Sequence, residues 1–413
     1  MIDEDWRNGG FGLYLHWPFC QAKCPYCDFN SFVQPEIDHA RWTEAYLTEI
    51  DRYASLVPGR VLNSVFFGGG TPSLMEPETV SQVLDRIKCH WPLANDLEVT
   101  LEANPTSVES ARFKDFMLAG INRISMGVQA LNDADLQRLG RLHTAQEAIQ
   151  AFDIASNLFN RVSFDLIYAR QTQTIDEWQA ELSRALELAV DHLSLYQLTI
   201  EPGTVFSARH SRGKLRGLPS DDTAADMFDV TQDLCAAAGY TAYEVSNHAR
   251  PGAESRHNLI YWRYGDFIGI GPGAHGRITR DGQRYATETL KQPENWLQRV
   301  SAGRPEKPPV LIEPEDQAEE YLMMSMRLPE GTSLSRYARL AGCQLDAEAI
   351  ARLVDLGMVN VTGDRIRATA QGRVVLNAVI ADLLTETECF RSPPVAMSGS
   401  DTDRQVDQSF HTK

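Results

Sequence analysis

The sequence has no run of roughly 18 consecutive apolar residues, so nothing in it is long enough to cross a bilayer as a helix. It also lacks a basic excess. Lys and Arg total 39 against 56 Asp and Glu, giving a formal net charge of −17. Nucleic acid and anionic membrane surfaces both recruit cationic faces, so neither is an expected partner. The first ten residues, MIDEDWRNGG, are acidic and carry no apolar core of the kind a secretory leader has. The chain is therefore expected in the cytoplasm, where thiols stay reduced. No internal repeat is present. Cysteine is sparse and odd in number, at seven. Cys89, Cys235, Cys343 and Cys389 stand alone and are expected to be small buried or half-buried residues. Cys20, Cys24 and Cys27 fall within eight residues of one another and need their own explanation.

What the sequence does have is alternation. Short β-rich apolar runs at 11–17, 64–67, 97–101, 123–128, 162–168 and 192–200 are separated by amphipathic segments at 38–56, 77–89, 108–119, 144–157 and 175–189. Trp42, Ala45, Tyr46 and Ile50 give the first of these segments helical spacing. Strands alternating with helices of this length make a parallel sheet. The expected fold class is α/β: a partial (β/α)6 barrel, with a doubly wound sheet as the competing topology. The first five strands are each followed by a polar or Gly-rich segment, CQAKCPYCDFN, GGGTP, EANP, GVQ and YARQTQ. Sites in parallel sheets form at that end of the strands.

The expected organisation is an N-terminal tail over 1–10, the barrel over 11–240 and an extension over 241–302. A linker at 303–314 carries four prolines. A small α+β, winged-helix-like domain follows over 315–390, with a disordered polar tail over 391–413. In the extension, 241–245 and 266–277 read as strands. In the small domain, MVNVTGDRIRAT reads as a hairpin turning on Thr-Gly-Asp.

Cys20-x3-Cys24-x2-Cys27 follows the first strand directly. Three thiolates on one loop can hold three irons of a cubane and leave the fourth iron open. A structural zinc site would want four ligands, and no second cysteine pair supplies the fourth. Three unrelated buried cysteines are the remaining alternative.

CQAKCPYC resembles the signature of the radical S-adenosylmethionine family. The longer run YLHWPFCQAKCPYCDFNSF resembles the branch that holds oxygen-independent coproporphyrinogen oxidases and their haem-chaperone relatives. The likeness runs from about Leu13 to Leu384. It implies a 4Fe–4S cluster on Cys20, Cys24 and Cys27. The open iron would bind the amino and carboxylate groups of S-adenosylmethionine, which the reduced cluster cleaves to a 5′-deoxyadenosyl radical. Further positions match the family. In FGGGTPS, Gly69 and Gly70 lack side chains and leave backbone groups to meet the methionine end, and Thr71 adds a hydroxyl. Glu102 is placed near the cofactor. Gln129 and Arg141 suit ribose hydroxyls and the methionine carboxylate. Asp165 is an acid inside an apolar strand. Tyr14 and Tyr26 flank the cluster loop and could pack adenine or shield the cluster. The sequence departs from the family after LIY: Ala169-Arg170-Gln171-Thr172-Gln173 stands where Gly-Leu-Pro-x-Gln is usual, which puts contacts at 169–171 in doubt.

Two features favour the haem-chaperone branch over the oxidases. Phe29 occupies the place of the oxidases' fourth cysteine, and only 19 residues precede Cys20. A third is His257-Asn258-Leu259-Ile260-Tyr261-Trp262, which matches a motif implicated in haem binding. A neutral imidazole is a good axial ligand, and Tyr261 and Trp262 could wall the macrocycle. A histidine capping a turn is the alternative, and His248 and His275 are other candidate ligands. The resemblance thus implies a haem-binding chaperone that delivers haem to acceptors such as respiratory enzymes. Coproporphyrinogen III oxidation is the other reading.

Overall fold

The protein is described here by a computed structural model covering residues 4–385. Six strands follow one another in sheet order as in sequence: β1 (Phe11–Trp17), β2 (Leu62–Gly69), β3 (Leu93–Ala103), β4 (Arg123–Gln129), β5 (Arg161–Tyr168) and β6 (His192–Gln197). All these pairings are parallel. A seventh strand, β7 (Asp266–Ile270), pairs parallel with the far edge of β1. The six strands advance in one direction from β1, whereas a doubly wound sheet reverses direction between its halves. The fold is therefore the partial barrel. Antiparallel strands extend both edges of what becomes a twelve-stranded sheet.

Helices cover the outer face. In β1, Phe11, Leu13, Leu15 and Trp17 are all buried, and so is His16 on the other face. Tyr46 and Trp42 of the helix His39–Leu56 pack against Trp17. Burial of both faces explains why the strand reads as a nearly continuous apolar run.

Several boundaries differ from expectation. The run 266–277 is two strands, broken at residues 271–274 where Gly271 and Gly273 take φ of 106° and 78°. The strand expected at 241–245 stops at Ala242. There Glu244 turns its carboxylate back to accept the backbone N–H groups of Val245, Ser246 and Asn247. The segment 108–119 forms two helices, Ser107–Ser110 and Phe113–Ala119. Val310–Leu311, inside the expected linker, pairs with Gln283–Glu288. One compact unit consequently runs to Ile312 and a second starts at Glu313.

The second unit contains the helices Pro314–Ser325, Leu334–Ala341 and Ala347–Asp355 and a three-stranded sheet. Its hairpin Val359–Thr362/Arg365–Ala368 turns at the expected Thr-Gly-Asp. The tail expected over 391–413 lies outside the described residues. Cys235 is buried, and burial pushes its thiol up to about 12. Cys89 is exposed on a helix end, contrary to the expectation of burial. Among the described residues no helix is long and apolar enough to cross a membrane.

Candidate functional site

The three cysteines occupy the loop that leaves β1. The loop's ends are zipped together, because Phe19–Cys20 pairs in parallel with Phe32–Val33. Asn30 fastens it to the rest of the rim, donating from Nδ2 to the carbonyls of Pro272 (2.9 Å) and Lys291 (2.8 Å). His16 holds it from below: its Nε2 bonds the Asn30 carbonyl at 2.9 Å, and its Nδ1 lies 3.0 Å from the Tyr14 hydroxyl. A carbonyl only accepts, so Nε2 carries the proton and Nδ1 accepts from Tyr14. Burial lowers the His16 pKa to about 4 and keeps the ring neutral.

Cys20, Cys24 and Cys27 are all half-buried. Burial pushes the Cys20 thiol up, while hydrogen bonds from the Thr71 and Ser31 hydroxyls pull the other way. Arg141 directs Nη1 at Cys24 Sγ, 3.5 Å away. Its Nη2 donates to Asn104 Oδ1 (2.6 Å) and the Gly127 carbonyl (2.7 Å). The Tyr26 ring, packed on Phe206, lies beside Cys24 and Arg141. Sulfur ligands surrounded by hydroxyl and guanidinium donors are the environment that tunes an iron–sulfur cluster, so the donor set fits one. Among the described residues, no three His, Cys, Asp or Glu side chains converge as one metal ion would need. A cubane, in contrast, takes each thiolate on a different iron.

The Gly-rich segment lies directly against this loop. Gly70 N–H donates to the Trp17 carbonyl (2.7 Å) and Thr71 N–H to the Phe19 carbonyl (2.8 Å). Gly69 N–H donates to Glu102 Oε2 at 3.1 Å. The amides of all three residues are thus already engaged, and the Thr71 carbonyl accepts from Leu74 N–H at 3.0 Å. A Cβ at Gly70 would sit 2.7 Å from the Phe19 carbonyl oxygen and 3.0 Å from Cys20 Sγ. Glycine is required there by the cluster loop itself. Gly69 takes φ of 113°, open only to glycine without strain. Thr71 Oγ1 accepts from Asn104 Nδ2 at 3.1 Å.

Gln129 is buried with φ of 74°, its amide beside Gly127 and close to Arg141. Asp165 is buried opposite Ser194, next to Tyr196, whose hydroxyl is pushed up by burial and then by that carboxylate. Tyr14 faces the interior of the sheet, stacked on Phe66 and His257, rather than flanking the loop.

His257 differs most from expectation. It lies in the helix Arg256–Trp262, capped by Ser255, and is 1% exposed. Nδ1 is 2.8 Å from Ser64 Oγ and Nε2 is 2.7 Å from the Tyr261 hydroxyl. The ring stacks on Phe66 with centroids 4.9 Å apart. Burial, then Arg123, lowers its pKa to about 3. As folded, neither nitrogen is open to iron, and Trp262 is buried rather than forming an open wall. His248 is equally buried, while His275 is exposed on the rim.

His16, Asn30, Asn104 and Glu109 were not singled out in the sequence. Asn104 N–H donates to Glu109 Oε2 at 2.8 Å, and Ser73 Oγ also bonds that carboxylate. The period-2 alternation Tyr14, His16 in β1 was the available signal for His16.

Comparison with known proteins places this geometry. The profile of the Radical SAM superfamily matches residues 14–185, and that of the HemN C-terminal domain matches 312–375. The heme chaperone HemW of Escherichia coli is 40% identical over 384 residues, covering 91% of this chain and 98% of the relative. The chain belongs to the HemW family. HemW of Haemophilus influenzae is 37% identical over 91% of this chain and 98% of that protein. Radical S-adenosyl methionine domain-containing protein 1, mitochondrial, of Danio rerio is 38% identical, covering 92% and 88%. The solved structure of E. coli coproporphyrinogen III oxidase (HemN), a radical SAM enzyme, superposes with a TM-score of 0.77 at 23% identity, covering 93% of this chain and 92% of that one. The HemW family thus shares its fold with that enzyme.

Proposed function

We propose that this chain is a haem chaperone. It binds haem in the cytoplasm and passes it to acceptor proteins such as respiratory haem enzymes, carrying a 4Fe–4S cluster and S-adenosylmethionine. The observation that carries the reading is end-to-end kinship with the E. coli protein named a heme chaperone, at 40% identity over 98% of its length.

Cys20, Cys24 and Cys27 hold the cluster, which supplies an open iron and a low-potential electron when bound. The residues around it have separable tasks. Arg141 donates to Cys24 and is positioned for the carboxylate of the methionine moiety. Glu102 and Thr71 hold the Gly69–Thr71 strand end in register with the loop. Gln129 serves the ribose hydroxyls, Tyr26 shields the cluster, and Tyr14 and Asp165 line the floor and far wall. Haem ligation by His257 requires its imidazole to exchange Ser64 or Tyr261 for iron. His275 is the ligand that needs no such exchange.

Anaerobic titration of the reconstituted protein tests this. The expected outcome is saturable, stoichiometric haem binding, with no conversion of coproporphyrinogen III to protoporphyrinogen IX in the presence of reductant and S-adenosylmethionine. His275→Ala and His257→Ala then identify the ligand by which variant loses the haem absorbance band. Multiple turnovers of coproporphyrinogen III without haem binding would overturn the reading in favour of the oxidase.

A further inference from the structure

The segment where the chain departs from its family, Ala169–Gln173, carries an arginine that should not be comfortable there. Arg170 follows the end of β5 and is 3% exposed. Ala169 takes φ of 56° and turns the chain so that the next side chain enters the protein. The guanidinium meets two carboxylates. Nε donates to Asp135 Oδ2 at 3.0 Å, and Nη2 lies 2.9 Å from the same oxygen and 2.5 Å from Glu181 Oε2. Nη1 donates to the Ile167 carbonyl, and Gln173 closes the loop by accepting from Arg170 N–H and donating to Glu181. The side chains of Asp135 and Glu181 are 12% and 8% exposed, so the three charges are screened little by water.

Both carboxylates grip the segment that leads from Gln129 to Arg141. Glu181 Oε1 accepts the N–H of Leu131 at 2.6 Å, two residues after Gln129. Asp135 lies in the helix Asp133–Arg138, bonded also to Asn132 and Arg138. Two residues beyond that helix, Gly140 packs so closely on Pro25 of the cluster loop that a Cβ would lie 2.6 Å from the proline ring. Arg141 follows, its own N–H held by the Leu136 carbonyl. A continuous set of contacts therefore joins Arg170 to the guanidinium on Cys24.

We infer that Arg170 is a positioning residue for the S-adenosylmethionine cradle. By clamping Asp135 and Glu181 it fixes the 129–141 segment, so that Gln129 and Arg141 are presented to the cofactor in place. This rests on the reading of Gln129 and Arg141 as cofactor contacts, and the test separates the two.

Arg170→Ala, Arg170→Lys and Glu181→Gln are compared with the parent protein after anaerobic reconstitution. Amide hydrogen exchange is measured on the apoprotein, and S-adenosylmethionine affinity by equilibrium dialysis well below the melting temperature. In Arg170→Ala, exchange should accelerate at Leu131–Arg141 while cluster iron is retained, and affinity should fall about 10- to 100-fold, as for loss of an outer-shell partner. Arg170→Lys should recover part of it, since an ammonium lacks the fork that reaches both carboxylates. Lower melting temperature with unchanged affinity and exchange, in a folded Arg170→Ala, overturns the inference. Should that variant fail to fold, Glu181→Gln decides in the same way, because it keeps the acceptor for Leu131 and loses only the charge. If the parent itself binds no S-adenosylmethionine, the cofactor reading fails, and the exchange data alone decide whether the clamp exists.

Discussion

At the scale of single residues, the structure assigns several motif positions to different work from the one their motif suggested. His257 is the clearest. Its hydrogen bonds to Ser64 and Tyr261 and its stack on Phe66 lock the helix Arg256–Trp262 to the interior of the sheet. His257→Phe would keep the stack and orphan both partners, costing about 1–3 kcal/mol of stability in urea unfolding. An unchanged midpoint would contradict the locking role. Ala169 gives the opposite expectation. A non-glycine residue at φ of 56° is strained, so Ala169→Gly should stabilise by roughly 1 kcal/mol, read as a raised melting temperature. A fall would mean that the methyl group's packing outweighs the strain.

At the scale of elements, the parallel strands and their order were legible because β-rich runs alternate with helical spacing, a pattern with few alternatives. Residues 271–274 and 243–246 were less legible. Their turns are made by glycines at positive φ and by one buried carboxylate, neither of which changes the local hydropathy. The cluster loop was legible in its ligands and not in its supports. Asn30, Asn104 and His16 act through contacts distant in sequence. The GGGTP strand end reads as a cofactor platform, yet at Gly70 it packs against the cluster loop, where a Cβ would meet the Phe19 carbonyl oxygen at 2.7 Å and Cys20 Sγ at 3.0 Å. Gly70→Ala should therefore lower cluster iron as well as S-adenosylmethionine affinity, measured by iron assay and dialysis. Full iron with weakened cofactor binding would return Gly70 to a cofactor role alone.

For the whole molecule, buried neutral histidines, His16, His143, His192 and His257 among them, set an acid limit. Burial holds His16 and His143 to about 4 and His257 to about 3, against roughly 6.5 in an unfolded chain. Below about 6.5 the unfolded state binds protons that the folded state refuses, so stability is full above that value and lost as pH falls toward 3. Between about pH 7.5 and about pH 5.5 the urea midpoint of the apoprotein should drop, with a slope approaching ~1.4 kcal/mol per pH unit for each histidine. A flat profile would mean that these rings are protonated in the folded protein.

The loop after β1 is expected to hold a cubane with one open iron. The direct measurement is iron and sulfide per chain after anaerobic reconstitution, in the parent and in Cys20→Ala, Cys24→Ala and Cys27→Ala. About four of each are expected in the parent, and loss of the cluster from every variant, because the remaining described thiols lie outside the loop. Iron content unchanged when all three are replaced would contradict it.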